Sequence, residues 1–205
     1  MTQEGALKIL KTGANVFITG EPGSGKTHTI NRFVSYLRSH GIEPAITAST
    51  GIAATHIGGL TIHSWSGIGI KKWLSDYDVD RISSLERIAK RIARTKILII
   101  DEISMLDGAT LILVDRVCRA VKNSGESFGG MQVVFVGDFF QLPPVSLTKI
   151  DDGAKNRLFD SKSSIFSFES DSWKSANPLV CYISEQHRQE DSVFLEILGP
   201  SVKVK

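Results

Sequence analysis

Gly20-Glu21-Pro22-Gly23-Ser24-Gly25-Lys26-Thr27 is the stretch that decides the fold. It fits the pattern Gly-x-x-x-x-Gly-Lys-[Ser/Thr] and sits between the apolar run Val16-Phe17-Ile18 and a helical pattern over Thr27 to Arg38. Strand, loop and helix in that order turn successive backbone N–H groups and a helix N-terminus toward an anion. Gly20, Gly23 and Gly25 permit the curl; with Pro22, Ser24 and His28 they form the expected nucleotide-contacting segment. Lys26 is the expected partner of β- and γ-phosphate oxygens, and the Thr27 hydroxyl a ligand of Mg²⁺. The competing reading is a glycine-rich turn before a helix, and the agreement of strand, loop and helix argues against it.

Further along, Ile97-Leu98-Ile99-Ile100 runs into Asp101-Glu102, and Val133-Val134-Phe135-Val136 runs into Gly137-Asp138. Unbroken hydrophobicity implies burial on both faces, as in a parallel sheet covered by helices. Pro44 to Thr47 and Leu179 to Ile183 are fainter strand candidates, and helical patterns span Leu85 to Arg94 and Thr110 to Lys122. This alternation predicts an α/β P-loop NTPase fold: a central parallel sheet flanked by helices, right-handed crossovers, and a ligand site at the carboxyl edge.

Asp101 and Glu102 then arrive at the same edge as the phosphate loop. Asp101 suits the magnesium shell, and Glu102 suits polarising an attacking water; two acids that merely open a loop are the alternative. Gln141, within Gly137 to Pro144, brings a neutral amide to where loss of a γ-phosphate could be felt, with a surface turn as competitor. Arg188 follows the last apolar run and could neutralise charge as an arginine finger does. From the residues alone, a solvated surface arginine is the stronger reading.

The 205 residues, 41% hydrophobic and 22% charged, fit one sizeable globular domain, and a net charge of +2 does not identify a nucleic-acid partner. Cys118 and Cys181 lie in apolar segments without Cys-x-x-Cys spacing, which predicts buried thiols in a reducing compartment rather than a zinc site. No signal-peptide pattern opens the sequence and no apolar run approaches bilayer length, so a soluble, intracellular protein is expected, cytoplasmic in a bacterial-type cell.

Taken in order, several stretches resemble one family: Gly20 to Thr27, Thr47 to Ala54, Gly59 to Ser64, Asp101 to Met105, Phe128-Gly129-Gly130, Gly137 to Pro144, and Gln186-His187-Arg188-Gln189. That family is the Pif helicases, relatives of RecD within superfamily one, and the resemblance spans about residues 3 to 198. It implies a RecA-like motor domain over residues 1–198 of an ATP-dependent DNA helicase moving 5′ to 3′ on single strands. By position it implies Lys26 and Thr27 as phosphate and magnesium ligands, and Asp101 and Glu102 as magnesium-linked acid and catalytic base. Gln141 and Arg188 become γ-phosphate sensors, and Gln3 an adenine-reading glutamine, although a lone glutamine near an N-terminus is usually surface. Residues 199–205 depart from the family pattern, and the second RecA-like domain does not appear in the sequence. A shortened, monomeric chain is expected, binding ATP and Mg²⁺ with slow hydrolysis and no unwinding.

Single-stranded DNA is the partner the resemblance implies, with two stretches as contacts. Ser49, Thr50 and Gly51 offer hydroxyls and amides to a DNA phosphate. Thr61, His63 and Ser64 add small donors beside Trp65, while Phe140, Pro143 and Pro144, next to Phe139, offer flat surfaces for a base. Core packing competes for Trp65 and the two phenylalanines. A solvated helix face is the default for Arg87, Lys90, Arg91 and Arg94. An unrelated P-loop enzyme and a non-enzymatic nucleotide- or DNA-binding module stay open as alternatives.

Overall fold

The computed structural model describes residues 1–141 and 166–185, so Pro143, Pro144 and Arg188 lie outside the described residues. Six parallel strands form one sheet: β1 (Val16–Gly20), β2 (Ala45–Ala48), β3 (Leu60–Thr61), β4 (Ile97–Asp101), β5 (Gln132–Val136) and β6 (Leu179–Ile183), in the order β3-β2-β4-β5-β1-β6. The chain leaves β1 for β2 on one side, and later hops from β5 over β1 to β6 on the other. The reversal of strand order therefore falls at β1, where a crevice opens beyond the strand ends.

Side chains alternate along each strand between two apolar layers. Phe17, Leu98, Ile100, Val133 and Phe135 face one layer, and Val16, Ile18, Ile99, Val134 and Val136 face the other. Helices α1 (Gln3–Leu10) and α2 (Lys26–Ser39) cover the second layer. On α2, Ile30, Phe33, Val34 and Leu37 recur at helical spacing and are all buried, which sets that helix against the sheet. The first layer is covered by α4 (Ile62–Ser66), α5 (Asp76–Ser83), α6 (Glu86–Arg94), α7 (Gly108–Lys122) and α8 (Asp171–Ala176). One further short helix, α3 (Gly51–His56), follows β2.

Asp115 is a buried acid on α7 that sequence periodicity did not single out. It accepts from Phe128 N at 2.6 Å, Arg119 Nε at 2.9 Å and Ser172 Oγ at 2.8 Å, and so joins α7, the turn at Ser127–Gly130 and α8. In that turn a Cβ on Gly129 would lie 2.8 Å from Lys122 Cβ and 2.9 Å from the Cys118 carbonyl. The Phe128-Gly129-Gly130 motif is thus explained by packing. Trp65, only 3% exposed, belongs to the core. Arg91 is not simply solvated either: its guanidinium donates to the carbonyls of Ser64 and Trp65 at the end of α4.

Candidate nucleotide and DNA site

The loop from Gly20 to Gly25 joins β1 to α2 at the strand-order reversal, with Gly20, Gly23 and Gly25 all at positive φ. A Cβ on Gly20 would lie 2.4 Å from the Ile183 carbonyl, and one on Gly25 would lie 2.1 Å from Gln3 Nε2. At Gly20 the β6 backbone excludes a side chain, whereas at Gly25 the neighbour is the movable end of Gln3 and the left-handed backbone, φ 88°, is what favours glycine. Lys26 Nζ spans the loop, donating to the carbonyls of Gly20 at 2.7 Å and Glu21 at 3.2 Å. Ser24 Oγ is buried without a partner among the described residues, while Pro22, Gly23 and His28 are exposed.

Gln3 is buried, 7% exposed, which corrects the surface reading of an N-terminal glutamine. The reason is local. Thr2 Oγ1 accepts from Gly5 N at 3.0 Å and starts α1, whose Ala6, Leu7 and Leu10 pack inward. Gln3 is thereby held under the loop, its Nε2 donating to the Ser24 carbonyl at 3.1 Å and its backbone N–H to Glu185 Oε2 at 2.8 Å.

β4 delivers Asp101 and Glu102 to the same edge. Burial, opposed by the Glu102 backbone N–H at 2.9 Å and by the Lys26 charge, holds the Asp101 carboxyl above the usual carboxylate range. Burial and then the Asp101 charge push Glu102 up as well, again against Lys26. Glu102 sits at φ 52°, ψ 43°, a left-handed conformation that is unusual for a residue with a side chain. Its neighbour turn Ile103–Met105 packs on Gly137, where a Cβ would meet Ile103 Cγ2 at 3.0 Å.

These elements enclose a cleft of about 1020 Å³ whose lining includes Thr27, Thr50, Asp101, Glu102, Phe140 and Gln141. The structure therefore brings together the phosphate-loop threonine, both acids, the amide and two of the expected DNA contacts. Thr61, His63 and Ser64 do not line this cleft. Thr50 and Thr61 each accept from a backbone N–H, Ala53 and Ser64 respectively, as helix caps; Gly51 opens α3 and is exposed. Ser49 donates its N–H to the Asp101 carbonyl at 3.2 Å, and its Oγ is buried without a partner among the described residues. Burial lowers the His63 pKa, with the Asp107 charge opposing.

The paired phenylalanines divide. Phe139 packs 5.3 Å from Phe17 and 4.8 Å from Phe168 between ring centroids, anchoring the loop after β5 in the core. Phe140 is 96% exposed. Among the polar residues in or behind the cleft, Asp138 and Ser104 were given no role by the sequence. Ser104 lines the cleft; Asp138 lies buried behind Gln141, and its only sequence signal is an acid one step past a strand that ends at the ligand edge.

A sequence profile described as PIF1-like helicase matches residues 4–194. ATP-dependent DNA helicase Pif1 of Psychrobacter sp. is 50% identical over 190 residues, covering 93% of this chain and 27% of the relative. ATP-dependent DNA helicase RRM3 of Saccharomyces cerevisiae is 40% identical over 193 residues, covering 93% and 25%. The crystal structure of Pif1 helicase from Candida albicans superposes with a TM-score of 0.80 at 34% identity, covering 96% of this chain and 42% of that one. That of Pif1 helicase from Bacteroides in complex with ADP-AlF3 and ssDNA gives a TM-score of 0.76 at 32% identity, covering 96% and 44%. The chain spans about a quarter of the length of these curated relatives. With nearly its whole length matched by that profile, the chain belongs to the PIF1-like helicase family.

Proposed function

We propose that this chain is the nucleotide-binding RecA-like domain of an ATP-driven DNA helicase, whose cleft hydrolyses ATP when a second RecA-like domain closes over it. The observation that carries the reading is the convergence of Thr27, Asp101, Glu102 and Gln141 on one cleft at the strand-order reversal, with Lys26 beside both acids. In this reading Lys26 leaves its loop carbonyls for β- and γ-phosphate oxygens, and the loop N–H groups hold the remainder. Glu102 orients a water and takes its proton as the water oxygen bonds to the γ-phosphorus; the bond to the β-phosphate oxygen breaks, and its electron pair leaves with ADP.

The residues fit Mg²⁺. A hydroxyl at Thr27 and a carboxylate at Asp101 are hard oxygen donors lining one cleft. Among the described residues no group of three or more His, Cys, Asp or Glu is placed to hold a metal ion, so phosphate oxygens would complete the shell. When bound, the cation would neutralise charge on the phosphates.

Single-stranded DNA is the proposed partner. Support comes from the Bacteroides Pif1 structure bound to ssDNA and from the exposed apolar rim of the cleft, with Phe140 at 96% and Ile52 at 77% exposure. Phe140 would stack a base, while Ser49, Thr50 and Gly51 would hold a phosphate, with Thr61, His63 and Ser64 further along the strand's path. Among the described residues no helix is long and apolar enough to cross a membrane.

The test is ATP hydrolysis by this chain with and without a single-stranded oligonucleotide. Stimulation by the strand supports a DNA contact within this domain; turnover indifferent to DNA would favour another kind of P-loop enzyme. Nucleotide binding provides the companion measurement. Lys26→Ala is expected to weaken ATP by about 100-fold, the scale of losing one charged donor on a phosphoryl group. Equal affinity in the two proteins would remove the phosphate-loop assignment.

A further inference from the structure

Gln141 is exposed at the edge of the cleft, and its amide is held by one hydrogen bond within its own loop. Its Nε2 donates to Asp138 Oδ2 at 3.1 Å, while Asp138 Oδ1 accepts from Phe140 N at 3.0 Å and the Asp138 carbonyl accepts from Gln141 N at 3.2 Å. A carboxylate can only accept, so the side of the carboxamide that faces Asp138 must be the NH₂. Among the described residues, Oε1 of Gln141 receives no hydrogen bond, and Gln141 lines the cleft with Thr27, Asp101 and Glu102. Asp138 itself is buried, and Phe139 between the two is packed into the aromatic core. The loop is thus anchored on both sides of the residue that does the orienting.

We infer that Asp138 is a positioning residue that fixes the sense of the Gln141 carboxamide, committing its nitrogen and presenting its carbonyl oxygen to the cleft as an acceptor. This rests on the proposed hydrolytic reading and sharpens it. An acceptor beside Glu102 suits an O–H of the attacking water, whereas a γ-phosphate oxygen calls for a donor. Asp138 does not touch the reacting atoms; it acts through Gln141.

The inference is tested first by NMR of the nucleotide-free chain, with the Gln141 side-chain NH₂ pair identified by its loss in Gln141→Leu. One of the two protons is expected downfield and protected from exchange, and Asp138→Asn is expected to move it toward the position of a free glutamine while leaving the melting temperature unchanged. A Gln141 pair at the free-glutamine position in the wild type, or one that Asp138→Asn does not move, overturns the inference. These spectra stand whether or not the chain hydrolyses ATP, so failure here is separable from failure of the parent reading.

DNA-stimulated hydrolysis supplies the functional arm. Asp138→Asn is expected to lower kcat about tenfold, the scale of one oriented hydrogen bond, with KM little changed. Gln141→Glu alone should be worse, because two carboxylates then oppose each other. The double variant Asp138→Asn/Gln141→Glu restores both the internal donor–acceptor contact and an acceptor facing the cleft, and is expected to recover to within about threefold of wild type. If the double variant stays as inactive as Gln141→Glu, the cleft needs the amide as a donor and the assignment of Oε1 is wrong.

Discussion

Glu102→Gln is expected to keep ATP bound while lowering hydrolysis by about 10²–10⁴-fold, the range over which a positioned general base contributes. The substitution is unusually clean. Glutamine is nearly isosteric and meets the same left-handed backbone at φ 52°, so both proteins carry the same local strain and differ chiefly in the carboxylate. The same change should raise thermal stability in the absence of nucleotide and Mg²⁺. The folded protein holds the Glu102 pKa above its ordinary value of 4.5, through burial and then the Asp101 charge. A carboxyl raised on folding binds its proton more readily in the folded state, so ionisation costs stability above the folded pKa and the cost disappears as pH falls toward the unfolded value. The variant should therefore melt higher near neutral pH, with the difference closing as pH is lowered toward 4.5. Retained hydrolysis in Glu102→Gln would remove Glu102 as the base. A melting difference independent of pH would show that burial and the Asp101 charge do not raise the Glu102 pKa in the folded chain.

Asp115→Ala is expected to be the most damaging single change away from the cleft, costing about 3–5 kcal/mol, as removal of one member of a buried charged network does. Three donors converge on this carboxylate: the Phe128 amide, the Arg119 guanidinium and the Ser172 hydroxyl. Alanine leaves the Phe128 amide and the Ser172 hydroxyl buried without an acceptor, and it loosens three elements at once. Against a total stability of about 5–15 kcal/mol for a typical domain, that loss is severe. Asp115→Asn keeps one oxygen to accept from Phe128 and should fall between alanine and wild type. Urea unfolding monitored by circular dichroism measures all three. A midpoint for Asp115→Ala within error of wild type would mean that the network contributes nothing net.

How far the sequence could be read depended on burial. The runs at Val16, Ile97 and Val133 are central strands covered on both faces, so their hydrophobicity is continuous and their places are plain. β6 is fainter because, among the described residues, it pairs with β1 alone at the sheet's edge and leaves Val180 and Tyr182 exposed. β3 has two residues, Leu60 and Thr61, too few for any periodic signal. Helix α1, and with it the burial of Gln3, was not read from the sequence; the recoverable clue was Thr2 as a cap ahead of Ala6, Leu7 and Leu10. The placing of Thr27 and the paired acids on one cleft was legible because it follows from local order along the chain, each lying at or just past the end of a buried strand. Asp115 and Asp138 were not, because each acquires its role from partners that only the folded chain brings near. The separate fates of Phe139 and Phe140, one half-buried against the core and one exposed, likewise follow from the turn after β5 and not from composition.

The close approach of Gly20 to the Ile183 carbonyl has a mechanical side. Ile183 ends β6, and just beyond it Ser184 N–H donates to the Met1 carbonyl and Glu185 receives the Gln3 N–H. The chain that continues past Glu185 is thus attached to the domain at a point braced directly against the phosphate loop. In the proposed helicase reading, a displacement of Ser184 and Glu185 would therefore bear on the phosphate loop from two sides, through the Ile183 carbonyl and through Gln3 of α1.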